Sequence, residues 1–145
     1  MKLVIQRVSS ASVLVDGKLV SEIAQGLLIF LGVSQQDDGS QIDWLAKKVS
    51  ELRIFQDAEG KMNLSVQDMG GEVLLVSQFT LCADCRKGRR PDFTEAAKPD
   101  LAEKLYLDFA KKLAELNVSV KLGVFAAYME VKLVNDGPVT IILEK

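Results

Sequence analysis

The chain contains no histidine, only two cysteines and only three prolines. Without histidine it lacks the most common general base at neutral pH, so hydrolytic chemistry would have to use other groups. Cys82 and Cys85 form a single Cys-x-x-Cys pair, and the sequence supplies no second pair of thiolate or imidazole ligands to complete a zinc site. We therefore expect neither a metal nor another cofactor.

Long apolar segments are also absent. The longest, Leu27 to Val33, is interrupted by Gly32 and reaches about a third of the length that a membrane-spanning helix needs. The apolar run near the N-terminus, Leu3 to Ile5, is much shorter than the core of a signal peptide. We expect a soluble, cytoplasmic protein without a membrane partner.

Length and charge are those of an ordinary globular domain. The 145 residues match the commonest domain size, and we expect a single domain over residues 1–145. The formal net charge of −2 argues against a protein that coats nucleic acid through overall positive charge, and we expect no DNA partner. Any contact with RNA would have to come from a local basic patch.

Turn residues and apolar runs predict a chain rich in strands. Asp16-Gly17, between Ala11–Val15 and Lys18–Ile23, is typical of a tight β-hairpin. Leu27–Val33 has no polar alternation, which predicts a central strand buried on both faces. Further strands are predicted at Arg53–Gln56, Val73–Val76, Val118–Leu122, Tyr128–Val134 and Val139–Leu143.

Apolar residues at three- and four-residue spacing predict two amphipathic helices. The first would bury Ile42, Leu45, Ala46, Val49 and Leu52; the second, from Pro99, would bury Leu101, Ala102, Leu105, Phe109, Leu113 and Leu116. Clustered strands with two helices indicate a mixed α/β domain whose helices cover one side of the sheet. No glycine-rich fingerprint follows an early strand, which disfavours a nucleotide-binding Rossmann unit.

Four segments could carry chemistry, and each also has an interpretation without a functional role. Polar residues Ser77 to Thr80 directly follow an apolar strand, where they either open into a pocket or satisfy local backbone groups. Gly137-Pro138 is either a plain hairpin turn or a cis dipeptide with a special role. The basic run from Arg86 to Arg90 is either a solvated loop or a phosphate contact. For Cys82 and Cys85, a redox pair stands against two incidental reduced thiols.

Taken together, the order and spacing of these segments resemble the D-aminoacyl-tRNA deacylase family over the whole chain. The motifs that carry the resemblance are Val4-Ile5-Gln6-Arg7-Val8-Ser9, Gly26-Leu27-Leu28, Lys61-Met62-Asn63-Leu64-Ser65, Val76-Ser77-Gln78-Phe79-Thr80-Leu81, Arg86-Lys87-Gly88-Arg89-Arg90-Pro91 and Asn135-Asp136-Gly137-Pro138-Val139-Thr140. Each motif alone is weak, whereas the ordered set is specific. The sequence departs from the family pattern at Ala126, where glycine is common, and at both cysteines.

The resemblance implies a three-layer β/β/α fold with barrel-like, strand-rich sheets and two main helices on one side. It implies a homodimer that hydrolyses the ester joining a D-amino acid, or glycine, to tRNA, and that spares L-aminoacyl-tRNA. Its site residues would be Ser77, Gln78, Phe79 and Thr80 around the ester, Gly137 and Pro138 as a cis dipeptide inserted into the partner's site, Phe125, Met129 and Asn135 in substrate binding, and Arg86, Lys87, Arg89 and Arg90 on tRNA phosphates.

An aminoacyl ester carries a neighbouring ribose 2′-hydroxyl, so the substrate could supply the catalytic group that a chain without histidine lacks. The backbone N–H groups of Phe79 and Thr80 would then stabilise the oxyanion. The competing mechanism uses Thr80 as a covalent nucleophile, but the sequence offers no lysine within five residues to activate it. A non-catalytic module that binds the tRNA acceptor end is the alternative from another functional class.

Overall fold

The computed structural model describes all residues 1–145 and contains eight strands and two α-helices. The strands are β1 (Lys2–Val15), β2 (Lys18–Ile23), β3 (Gly26–Gly32), β4 (Phe55–Gln56), β5 (Met62–Leu64), β6 (Glu72–Ser77), β7 (Ser119–Leu122) and β8 (Glu130–Glu144). The helices are α1 (Ile42–Glu51) and α2 (Pro99–Glu115), and a short 3₁₀ turn spans Phe79–Cys82. No helix combines the length and the apolar character needed to cross a membrane.

The main sheet has the strand order β2-β1-β3-β6-β7, and β8 pairs with the other side of β1. The long strand β1 turns the sheet, because its first half pairs with β3 and its second half pairs with β2. Ser21 Oγ donates to Leu122 O at 2.9 Å and Lys121 Nζ donates to Glu22 O at 2.7 Å, which joins β2 to β7. Because β2 and β7 are the first and last strands of this order, these contacts close the sheet into a near-barrel.

Both helices pack on one face of this sheet. Their buried side chains, such as Leu45 and Phe109, share a core with Ile5 and Leu75. Residues on the other face of the same strands, such as Leu28, form a second apolar cluster on the concave side of the curved sheet. The predicted mixed α/β fold, with barrel-like sheets and helices on one side, is confirmed.

Most predicted elements are present. Asp16 and Gly17 have φ values of 50° and 73°, which is the conformation that a two-residue hairpin requires, and they connect β1 to β2. The strand starting at Gly26 is buried and central as expected. The short strand predicted at Arg53–Gln56 is limited to Phe55–Gln56, and its partner β5 lies in a stretch for which no strand was predicted.

The prediction of two separate strands at Tyr128–Val134 and Val139–Leu143 is wrong, because both belong to the continuous strand β8. Gln6 pairs with Thr140 and Val8 pairs with Asn135, so four residues of β8 lie opposite Arg7 alone. Gly137-Pro138 therefore lies in a bulge within one strand and not in a hairpin turn. Proline is tolerated there because the bulge interrupts the ladder of backbone hydrogen bonds.

Candidate active site

A cleft of about 520 Å³ lies between the end of β6, the start of α2 and the segment that precedes β8. Ten of its thirteen lining residues are hydrophobic, so the cleft is an apolar pocket with few polar groups. The lining consists of Val76, Ser77, Gln78, Phe79, Ala97, Pro99, Ala102, Phe125, Ala126, Ala127, Tyr128, Met129 and Val131.

The end of β6 delivers polar groups to this cleft. Val73 to Val76 are buried between parallel neighbours, and the Gln78 N–H makes the last pairing bond, 2.8 Å from Leu31 O. The chain then leaves the sheet, so Ser77 and Gln78 are half-buried while Phe79 and Thr80 are exposed. The pocket interpretation of this polar segment therefore fits its surroundings better than a simple strand end.

Two backbone N–H groups at this point have no partner within the 3₁₀ turn. The hydrogen bonds of the 3₁₀ turn run from Leu81 N–H to Gln78 O and from Ala83 N–H to Thr80 O. The N–H groups of Phe79 and Thr80 lie outside this pattern, since the first amides of a helical turn have no partner within it. The Thr80 hydroxyl accepts a 2.6 Å hydrogen bond from Gln78 Nε2, an amide that cannot act as a base.

The opposite wall of the cleft, formed by the segment that precedes β8, is connected to the core by hydrogen bonds and aromatic packing. Leu75 O accepts hydrogen bonds of 2.9 Å from both the Gly123 N–H and the Tyr106 hydroxyl. The Tyr106 ring lies 6.1 Å from the Phe125 ring, and burial raises the pKa of Tyr106 to about 12. Ala126 has a φ of 58°, a left-handed conformation that glycine adopts more readily. Phe125 and Met129 both line the cleft, as the expected substrate contacts should.

Gly137 and Pro138 are joined by a cis peptide bond and lie on the surface, outside the lining of the cleft. Asn135 is likewise exposed and outside the lining. Arg7 holds the bulge: its Nε lies 2.9 Å from Asp136 O and 3.2 Å from Asp136 Oδ2, and its Nη1 donates to Ile54 O.

Arg7 is only 5% exposed, and sequence reasoning did not single it out. The signal in the sequence is a charged residue within a mainly apolar strand, because a guanidinium buried there would need partners other than water.

The basic segment forms a surface loop closed by paired backbone hydrogen bonds between Asp84 and Asp92, of 2.8 and 2.9 Å. Arg86 binds the Asp84 carboxylate at 2.6 Å, and these hydrogen bonds lower the pKa of Asp84 to about 2. Lys87, Arg89 and Arg90 are exposed and form no ion pair in the chain.

An aromatic contact joins this loop to the cleft. Phe93, which follows the closing residue of the loop, packs edge-on against Phe79 with 5.1 Å between ring centroids. The basic side chains and the cleft therefore belong to one continuous region of the surface.

The two cysteines lie beyond Thr80, away from the cleft lining. Cys82 is half-buried, its Sγ donates to Val33 O at 3.4 Å, and burial raises the pKa of its thiol. A raised pKa reduces the thiolate fraction, which disfavours the redox interpretation. The chain contains no group of three or more His, Cys, Asp or Glu side chains arranged to hold a metal ion.

Known proteins match this chain over nearly its full length. The family model described as D-Tyr-tRNA(Tyr) deacylase matches residues 4–144. A protein of Thermotoga petrophila named D-aminoacyl-tRNA deacylase is 57% identical over 144 residues, which cover 99% of this chain and 97% of that protein.

Two solved structures have the same fold. One, described as c-Myc DNA Unwinding Element Binding Protein, has a TM-score of 0.93 and 42% identity, covering 100% of this chain and 99% of that chain. Another, described as a probable eukaryotic D-amino acid tRNA deacylase, has a TM-score of 0.81 at 18% identity, covering 98% and 97% of the two chains. At that identity the second likeness concerns the fold alone.

Proposed function

Because this chain belongs to the D-Tyr-tRNA(Tyr) deacylase family and is a hydrolase of the D-aminoacyl-tRNA ester, we propose that it proofreads chirality by substrate-assisted catalysis. It would release D-amino acids and glycine from tRNA and spare L-aminoacyl-tRNA, acting in the cytoplasm, where tRNAs are charged. The observation that carries the proposal is an apolar cleft bordered by a 3₁₀ turn whose first two backbone N–H groups have no partner within the turn, in a chain without histidine.

In this mechanism the ester lies beside Ser77 to Thr80, and Phe125 and Met129 contact the terminal nucleoside. The ribose 2′-hydroxyl of the substrate assists the attack of water on the ester carbonyl. The N–H groups of Phe79 and Thr80 donate to the oxygen that becomes negatively charged, which stabilises the transition state more than the ground state. A covalent role for Thr80 is disfavoured because its hydroxyl faces the Gln78 amide and no basic group.

The mechanism is tested by comparing two substitutions at one residue. Phe79→Pro removes the N–H at the first position of the 3₁₀ turn, where proline is tolerated, whereas Phe79→Ala removes only the ring. In single-turnover hydrolysis of D-Tyr-tRNA, we expect Phe79→Pro to be about 10²- to 10³-fold slower than Phe79→Ala. Thr80→Ala should retain substantial turnover; complete loss of turnover with normal tRNA binding would instead support a covalent Thr80.

We also propose that Gly137 and Pro138 select chirality in the partner subunit's cleft. They do not line the cleft of their own chain, so contact with a bound substrate requires a second copy. The strand that carries them pairs on one side only, and Val134 and Ile142 on it are 57% and 66% exposed. An unpaired strand edge with exposed apolar side chains favours association between copies. A wall of main-chain atoms would exclude an L side chain and admit glycine.

Complementation tests this composite site. Gly137→Ala and Phe79→Pro should each be nearly inactive as homodimers. A heterodimer purified with two different tags has one site in which both residues are intact, and we expect about half of the wild-type turnover. A site built from one chain would leave the heterodimer inactive, whereas restored activity requires that the two residues act across the interface.

Substrate choice distinguishes the proposed enzyme from a tRNA-binding module. The purified protein should hydrolyse D-Tyr-tRNA and glycyl-tRNA and leave L-Tyr-tRNA intact. Equal rates on the D- and L-tyrosyl esters would contradict the selection of chirality. Binding of tRNA without hydrolysis of any ester would support the non-catalytic alternative.

A further inference from the structure

Tyr128 is the most exposed of the large hydrophobic residues, at 91%. Its ring lies at the mouth of the cleft and forms no hydrogen bond or aromatic pair within the chain. A single exposed aromatic residue needs no explanation on most surfaces. Tyr128 differs because it borders an apolar cleft whose other rim carries Phe79, also an exposed aromatic residue.

The backbone around Tyr128 is held from both sides. Phe125 packs against the helical core, and Met129 packs against the second apolar cluster inside the sheet. Between them, the Ala127 N–H donates to Val124 O at 3.3 Å and forms a turn. Because Phe125 and Met129 pack inward and the turn ends at Ala127, the Tyr128 ring faces solvent at a defined place.

We propose that Tyr128 is a stacking platform for the unpaired base that precedes the esterified nucleotide of tRNA; this inference rests on the proposed function. Aromatic side chains bind single-stranded ends because each base offers a flat face. Phe125 and Met129 are half-buried, so they can contact the nucleotide that carries the ester inside the cleft. Tyr128 lies outside them, where the next base of the strand leaves the cleft.

Two substrates of different length test the inference. In single-turnover assays on D-Tyr-tRNA, Tyr128→Ala should raise the half-saturating enzyme concentration about tenfold, with the rate at saturation unchanged. Hydrolysis of D-tyrosyl-adenosine, which has no preceding base, should be affected by Tyr128→Ala much less than hydrolysis of D-Tyr-tRNA. Tyr128→Phe keeps the ring and should behave as wild type on both substrates. Trp44→Ala, at an exposed aromatic residue of α1 outside the cleft, is the matched control.

A binding measurement tests the platform independently of turnover. A fluorescent base analogue at the next-to-last position of uncharged tRNA should be quenched by wild type and by Tyr128→Phe, and not by Tyr128→Ala. Equal effects of Tyr128→Ala on both substrates, no effect on either, or a loss of the dimer in sedimentation would overturn the inference. Failure of wild type to hydrolyse either ester would contradict the proposed function, and the quenching experiment would still decide the role of Tyr128.

Discussion

Arg7 and Gly137 define the geometry of the bulge that we propose to select chirality. Arg7 is buried and binds both the backbone and the side chain of Asp136, so it determines where the following residues lie. Gly137 has a φ of 128°, and a β-carbon built on it would lie 2.9 Å from Arg7 Nη2 and from Val139 Cγ2. The geometry of the bulge therefore depends on the buried guanidinium of Arg7 and on the absence of a side chain at Gly137.

Gly137→Ala should reduce D-Tyr-tRNA deacylation by about 100-fold or more. The new methyl group would displace Arg7 or the dipeptide, and small displacements at a catalytic site can cost this much activity. Measured kcat/KM values on D-Tyr-tRNA check the expectation. Gly60→Ala is the matched control, because Gly60 also has a positive φ, 77°, but open space around it. Wild-type activity in Gly137→Ala would argue against the proposed role of the dipeptide.

At the scale of elements, Leu75 O in β6 joins helix α2 to the wall of the cleft. It accepts hydrogen bonds from Tyr106 in α2 and from Gly123, which begins the segment that leads to Phe125. The Tyr106 ring also packs against Phe125. The position of the cleft wall is therefore linked to the packing of α2 on the sheet.

This link predicts a specific alkaline destabilisation. Burial raises the pKa of Tyr106 to about 12, from 10.0. Between these values the unfolded chain loses the phenol proton and the folded chain keeps it, so stability falls as pH rises. The loss should reach roughly 2 kcal/mol, measured as the free energy of urea unfolding from pH 9 to 12.

Two variants show whether this loss belongs to Tyr106. Tyr106→Phe should lack this part of the decline with pH, at a cost of about 1 kcal/mol at neutral pH for the missing hydrogen bond. Tyr128→Phe, which removes the exposed tyrosine, should lose stability with pH as wild type does. The same pH dependence in Tyr106→Phe and wild type would exclude Tyr106 as its source.

At the scale of the whole molecule, positive charge is concentrated in the loop between Asp84 and Asp92, although the chain carries a net charge of −2. Lys87, Arg89 and Arg90 extend from a loop that is closed at its base, whereas Arg86 is held by Asp84. The overall charge would repel an RNA, so we expect this loop to orient tRNA binding.

Removing these charges one at a time should weaken tRNA binding and its dependence on salt. Replacing Lys87, Arg89 or Arg90 with alanine should lower the slope of log Kd against log salt by about 1 for each phosphate that the variant no longer binds. Arg86→Ala should have a smaller effect, since its charge is already paired. Lys111→Ala, at an exposed position on α2, is the control and should leave the slope unchanged. An unaltered slope in all loop variants would contradict phosphate binding by the loop.

Local patterns in the sequence were sufficient to predict the hairpin at Asp16-Gly17, the buried central strand and both helices. Each depends on residues close together in the chain, through turn conformation or the spacing of apolar side chains. The candidate segments Ser77 to Thr80 and Arg86 to Arg90 were also evident, because polar or basic residues interrupted an otherwise apolar or acidic context.

Contacts between residues that are distant in the sequence determined the features that local patterns did not predict. β8 is continuous across Gly137-Pro138 because both of its halves pair with the same long strand, β1, far away in the sequence. Arg7 has a role only because that pairing brings it opposite the bulge, and only the folded chain shows that the dipeptide lies outside its own cleft. The sequence by itself determined most of the elements and the candidate chemistry, whereas tertiary structure determined which groups meet, because sheet pairing joins residues that no local pattern relates.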